Sequence, residues 1–215
     1  MGIEKISKII SSKMGERLNK NEEEVAVLNY GLFILIHTSI AIMLTFIIGV
    51  LTNTLIEIMI ISVVAALLKR YSGGVHSSSP LRCLITGVIF SLFLAMMCKF
   101  GFSKISNTIL GLVLVLSIVV SYFILYKKCP VPCANKLLKK ESTRKKLRKN
   151  AFKLINIYTS IMIIFYLLNI YTGIVLFKIV TISILLGILL QIFSLTKVAE
   201  LTIDSFELLY NILKI

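Results

Sequence analysis

The sequence predicts an all-α, polytopic membrane protein: six transmembrane helices, with an amphipathic helix at each terminus. Two observations carry this. The first is apolar content: 57% of the 215 residues are hydrophobic and the mean hydropathy is +0.94, where a soluble domain averages about 45–50% apolar. The second is where the charges are missing. Residues 30–56, 105–126, 154–177 and 179–196 contain no Asp, Glu, Lys or Arg. Crossing the hydrocarbon core takes about 20 helical residues, so each run is long enough or nearly so.

At the N-terminus, Ile3, Ile6, Ile10, Met14 and Leu18 recur at helical spacing, with Lys5, Lys8, Lys13 and Arg17 on the other faces. That pattern suits a helix lying in the membrane surface. Asn21 before Glu22, Glu23 and Glu24 reads as an N-cap with acids in the first turn, where the helix dipole favours them. The first span follows, and Thr52-Asn53-Thr54 turns it into a second over 52–68, interrupted only by Glu57. A third covers 84–102, with Lys99 near its end, close enough to the interface to snorkel. Val198, Leu201, Ser205, Leu208 and Ile212 oppose Lys197, Glu200, Asp204, Glu207 and Asn211. This is a second amphipathic helix, either interfacial or packed on a second copy of the chain in a homodimer. With five Lys/Arg and five Glu in the first 28 residues there is no apolar signal-peptide core, and insertion through the first span is expected. The length is expected to form one membrane-embedded domain over 1–215.

Charge sets the expected orientation. Segments 1–29, 69–83, 127–153 and 197–215 hold 21 of the 24 Lys/Arg residues, leaving Lys99, Lys104 and Lys178 for the opposite side. Basic loops stay in the cytoplasm, so six spans with both termini inside is the economical topology, in the cell membrane. Segment 127–153 carries eleven basic residues against Glu141. It reads as an orientation-setting loop or as an electropositive surface for anionic lipid or an acidic peptide. Nucleic acid is not an expected partner, because the segment is tethered between spans and has no aromatic residue before Phe152.

The chemistry concentrates in residues 70–83, Arg-Tyr-Ser-Gly-Gly-Val-His-Ser-Ser-Ser-Pro-Leu-Arg-Cys, which hold one of two histidines and one of four cysteines. A thiol and an imidazole together are a nucleophile and the base that deprotonates it. Along one straight helix His76 and Cys83 would stand about 10 Å apart, too far to hydrogen-bond. The sequence supplies the break. Gly73-Gly74 can end a helix through a left-handed conformation, and Ser79-Pro80 is an N-cap followed by proline at the first helical position. Cys83 then falls in the first turn of the third span, where the dipole stabilises a thiolate. Cytoplasmic thiols stay reduced. The backbone N–H groups of Gly73 and Gly74 could receive the oxyanion of an acyl intermediate. Asn29, Ser77 or a backbone carbonyl could orient the imidazole. The bland alternative is a Gly-rich turn beside a cysteine acting as a small hydrophobe.

Other candidates carry less. His37 lies inside the first span, where a histidine most often bonds a neighbouring helix. Glu57 sits near the far end of the second span, away from the island. Cys98 has no evident partner, and Cys129-Pro-Val-Pro-Cys133 offers too few ligands for a zinc site. No metal and no cofactor are expected. The competing function classes are a small six-span transporter or permease, compatible with the intramembrane His and Glu, and a non-catalytic protein that presents its basic loop to a partner.

Gly73-Gly74-Val75-His76, Cys83 seven residues after the histidine, and Pro132-Cys133-Ala134-Asn135-Lys136 followed by Lys145-Lys146-Leu147-Arg148 resemble the accessory gene regulator B (AgrB) family. These are membrane cysteine endopeptidases of Gram-positive quorum sensing. The resemblance covers residues 25–195 in layout and is most specific at the island. Leu137 departs from it, since proline commonly follows Asn-Lys there. The resemblance implies Cys83 as nucleophile and His76 as base and acid. Gly73, Gly74 and Ser77 would support the turn. The substrate would be an AgrD-like precursor peptide, released as a thiolactone or lactone. By charge, Arg144, Lys145, Lys146 and Arg148 of the basic segment are the expected docking surface for its acidic tail.

Overall fold

The computed structural model describes residues 3–75, 77–131 and 141–213. Among these there are eight α-helices and no strand: α1 Ile3–Arg17, α2 Glu22–Leu51, α3 Leu55–Ser72, α4 Pro80–Phe100, α5 Asn107–Lys128, α6 Glu141–Thr172, α7 Val175–Phe193 and α8 Lys197–Leu213. Five segments are long and apolar enough to cross a membrane: Glu22–Leu51, Pro80–Lys104, Asn107–Lys128, Glu141–Thr172 and Val175–Phe193. The protein is an all-α polytopic membrane protein. The second expected span, α3, has 18 residues and carries Glu57, Lys69 and Arg70 near its two ends, which keeps it below the apolarity of the other five.

The chain divides into two compact units, residues 1–47 and 48–215. In the first, α1 buries its small residues Ser7, Ser11 and Gly15. A Cβ on Gly15 would come within 2.3 Å of Val25, so only glycine lets α1 fold so closely onto the start of α2. The expected apolar stripe stays outward, with Ile10 and Met14 exposed. Asn21 caps α2 reciprocally: its Oδ1 accepts from the Glu24 N–H at 2.8 Å, and Glu24 Oε2 accepts from the Asn21 N–H at 3.2 Å. This is a capping box that satisfies two orphan donors at once. His37 stacks on Phe33, one turn earlier in α2, at 5.9 Å between ring centroids.

The second unit is built around α3 and α7. Their shared face buries Ile58, Ile61, Val64, Leu68, Ile184, Leu185, Ile188 and Ile192. Gly187 makes the approach close, since a Cβ there would stand 2.8 Å from Val64 and 2.9 Å from the Ile61 carbonyl. Small residues are how helices gain contact in lipid, where no water drives them together. Helix α6 packs on α7 and α3, α4 packs on α3 and α7, and α5 lies against α7. At the end of the unit away from the island, lysines close the turns: Lys99 donates to the Asn53 carbonyl and Lys178 to the Ile105 carbonyl.

One expectation changes and another is refined. The basic segment 127–153, read as a loop, is helical from Glu141 onward, so α6 extends the following span by about four turns, roughly 20 Å. Helix α8 keeps the expected stripe Val198, Leu201, Ser205, Leu208 and Ile212 exposed, and packs another face on α4 of its own chain. Phe206 packs on Phe90 at 5.6 Å, and the Tyr210 and Thr86 hydroxyls hydrogen-bond at 2.8 Å.

Candidate functional site

The polar island is built by the ends of two helices and held by α7, α8 and the segment after α5. Helix α3 stops at Gly73, whose N–H donates to the Lys69 carbonyl at 3.0 Å and whose φ of +71° is left-handed. Gly74 follows at φ +135°. L-residues pay for such conformations and glycine does not. Space enforces the same choice: a Cβ on Gly73 would stand 2.2 Å from the Val131 carbonyl oxygen, and one on Gly74 2.6 Å from Ser194 Oγ.

The turn is pinned from every side. The Val131 N–H donates to the Ser72 carbonyl at 2.9 Å, and the Val75 N–H donates to the Ser194 carbonyl at 3.0 Å. Lys69 Nζ, one turn back on α3, donates to the Val75 carbonyl at 2.9 Å. At the centre lies Gln191 of α7, only 2% exposed. Its Nε2 donates to Ser72 Oγ at 2.9 Å and to the Gly73 carbonyl at 2.7 Å. A buried amide left unpaired costs about 1–3 kcal/mol, so these partners hold one another in register.

Helix α4 then begins as its sequence requires. Ser79 is its N-cap, accepting from the Arg82 N–H at 3.2 Å, with Pro80 at the first helical position. The Cys83 N–H makes the first full helical hydrogen bond, to the Ser79 carbonyl at 3.0 Å. Cys83 thus stands at the start of α4, half-buried, whereas Cys98 and Cys129 are buried. Burial pushes the Cys129 thiol up to about 11, which leaves it protonated near neutral pH. Among the described cysteines Cys83 is the one placed to react.

Of the other expected site residues, the structure gathers some and separates others. Gly73 spends its N–H on closing α3, so the expected oxyanion donors reduce to the backbone beyond it. The Ser77 hydroxyl is buried with no hydrogen-bond partner among the described residues. Arg144, Lys145 and Lys146 are exposed on the first turns of α6, with Lys145 paired to Glu141 at 2.9 Å. Arg148 reaches across to α5, donating to the Tyr126 carbonyl at 2.8 Å and lying 4.7 Å over the Tyr126 ring. His76 and Pro132-Cys133-Ala134-Asn135-Lys136 lie outside the described residues.

Sequence reasoning missed Gln191 and Ser194, which meet the turn across more than a hundred residues, and Glu207. Glu207 of α8 accepts from the Ser78 N–H at 2.9 Å, from the Ser78 hydroxyl at 2.7 Å and from Arg82 at 2.5 Å. The Ser78 hydroxyl first, and then the Ser78 N–H and Arg82, hold its carboxyl down to about 2. A depressed carboxyl contributes stability above its ordinary range and loses it as pH falls towards that value, so the contact is fully formed at neutral pH.

A scan against protein families matches residues 3–195 to accessory gene regulator B. An AgrB-like protein of Clostridium perfringens strain SM101 is 37% identical over 208 residues, covering 95% of this chain and 97% of its own. A second AgrB-like protein, from C. perfringens strain 13, is 34% identical over the same coverage. No solved structure matches significantly.

The turn geometry yields a paired prediction. Gly73→Ala combines a left-handed φ, costing about 1–2 kcal/mol, with a backbone clash, and should lower the thermal unfolding midpoint in detergent by several degrees. Gly87→Ala, in mid-α4 with nothing within 4 Å of the added carbon, should leave it unchanged or raise it by up to about 1 kcal/mol in stability. Equal midpoints for the two variants would contradict the account of the turn.

Proposed function

We propose, for a chain that belongs to the accessory gene regulator B family, that it is a membrane cysteine endopeptidase which cleaves an AgrD-like quorum-sensing precursor and promotes closure of the product to a thiolactone or lactone. Family membership ties the protein to the agr quorum-sensing system, and its apolar helices make it a membrane protein. The observation that carries the finer reading is the placement of Cys83. It is the described cysteine that is not buried, in the first turn of α4, the helix that follows a glycine turn fixed by Gln191, Lys69 and Ser194.

In this reading His76 takes the Cys83 proton and the thiolate attacks a peptide carbonyl carbon of the precursor. The dipole at the start of α4 favours that thiolate, and the backbone beyond Gly73 supports the oxyanion. The C–N bond breaks, the imidazolium returns its proton to the leaving amine, and the acyl group remains on Cys83 as a thioester. A thiol or hydroxyl within the same peptide, giving its proton to the now neutral His76, then attacks that carbonyl, closing the ring and releasing the Cys83 thiolate. Ring closure wins over hydrolysis when the internal nucleophile is held close and water is kept out. Ser77, whose hydroxyl is buried and has no partner among the described residues, is suited to orient the imidazole.

The orientation that fits places both termini and the Cys83 turn on the cytoplasmic side, with the basic segments, in one functional domain over 1–215. The exposed Arg144, Lys145 and Lys146 then present positive charge on the same side as Cys83, and attract an acidic tail over a Debye length of about 8 Å.

Two predictions follow from this arrangement. Cys83→Ala and His76→Ala should each abolish processing, by at least about 10³-fold, with expression and membrane insertion intact; substantial processing by purified Cys83→Ala would sink the peptidase assignment. Changing Arg144, Lys145, Lys146 and Arg148 together to Gln should raise the half-saturating precursor concentration and flatten its salt dependence, with less effect on the saturated rate. A correctly inserted variant whose affinity and salt slope match the parent's would reduce the cluster to an orientation signal.

A further inference from the structure

Helix α8 reaches the Cys83 turn through one continuous strip of contacts. On α4 the strip is Arg82, Thr86 and Phe90, spaced four residues apart, and so one face of the helix. On α8 it is Phe206, Glu207 and Tyr210. Phe206 meets Phe90 at 5.6 Å, Tyr210 meets Thr86 at 2.8 Å, and Arg82 lies 5.7 Å over the Tyr210 ring. The end of the strip nearest the site is polar. There the Glu207 carboxylate spans two residues that bracket the N-cap Ser79: Ser78, through both its N–H and its hydroxyl, and Arg82. Arg82 also donates to Ser78 Oγ at 3.2 Å, closing the ring of contacts.

We infer that Glu207 is a positioning residue for the Cys83 site, acting through Ser78 and Arg82 to fix the turn from which α4 and its nucleophile start. The inference rests on the peptidase reading and extends it to a helix past residue 195, where the family-model match ends. Three features favour positioning over simple attachment of α8. The Phe206–Phe90 ring contact and the Tyr210–Thr86 hydrogen bond already hold the helix on α4. The carboxylate engages a backbone N–H, which fixes main chain and not only side chains. The Arg82–Glu207 pair is mostly shielded, with side chains 17% and 18% exposed, unlike the solvated Lys145–Glu141 pair at 78% and 80%. Exposed pairs of that second kind contribute little, whereas charge-assisted bonds to a shielded carboxylate impose geometry.

Displacing a reacting group by about 1 Å can cost about 100-fold in rate. The test uses the full-length protein in detergent. Its probe is a synthetic precursor-type peptide with an amphipathic N-terminal segment, one internal cysteine and an acidic C-terminal tail. Glu207→Ala should lower the processing rate at saturating peptide by 10–100-fold per folded molecule, while the half-saturating concentration moves by less than about threefold. Glu207→Asp should recover most of the rate and Glu207→Gln only part. A purely structural role would instead reduce the amount of folded protein at unchanged rate per molecule, and that result overturns the inference. So would a saturated rate equal to the parent's. If Glu207→Ala does not fold, Ser78→Ala provides the same comparison, since it removes one contact of the carboxylate and leaves α8 intact. Cys83→Ala run in parallel separates the two claims. Processing that persists there defeats the peptidase reading, whereas Cys83-dependent processing indifferent to Glu207 and Ser78 defeats the positioning role alone.

Discussion

The structure depends on a buried amide meeting a bent backbone. Gln191, in the most deeply buried helix of the bundle, donates to Ser72 Oγ and to the Gly73 carbonyl, at the point where α3 ends. Neither side can be relaxed alone. Without Gln191 the Gly73 carbonyl keeps only the longer contact from Ser72 Oγ at 3.3 Å, in a setting with little water; without the left-handed glycine the carbonyl points elsewhere. Polar groups at membrane depth must find partners within the protein. Here the requirement is met by the turn that leads to Cys83, so the bundle core and the candidate site share one set of hydrogen bonds.

The rest of the site follows from that anchor. Val131 and Ser194 take up the neighbouring backbone groups, and Lys69 turns back onto Val75 instead of reaching away from the helix. Helix α4 starts where Ser79 and Pro80 allow it to start. The C-terminal helix closes the last open side through Glu207. Cys83 is therefore presented by main chain constrained from α3, α7, α8 and the segment after α5. Such support is what a nucleophile needs if its geometry is to survive substrate binding.

What was legible in the sequence was local. The Asn21 N-cap, the Gly73 stop, the Ser79-Pro80 start and the Thr52-Asn53-Thr54 turn each rest on contacts within five residues of chain, and residue type alone specifies them. The apolar runs gave the membrane class for the same reason. The pairings of Gln191 with Gly73 and of Glu207 with Arg82 span more than a hundred residues. A glutamine in an apolar run and a glutamate on an amphipathic helix each have many available partners, so nothing in their spacing points to the turn. The helical reach of α6 into the basic segment was hidden because charge density reads as solvated loop, although Lys, Arg and Glu are good helix formers.

The central claim is that Cys83 carries the peptide as a thioester before the ring closes. The most direct measurement is the intact mass of the protein after rapid acid quench with a precursor whose internal nucleophile is replaced by alanine, which leaves the acyl group without an intramolecular acceptor. The account predicts an adduct of the precursor's acyl portion on the Cys83 peptide, removed by neutral hydroxylamine and absent from Cys83→Ala. Full processing with no adduct at any quench time, or an adduct that remains in Cys83→Ala, would contradict it.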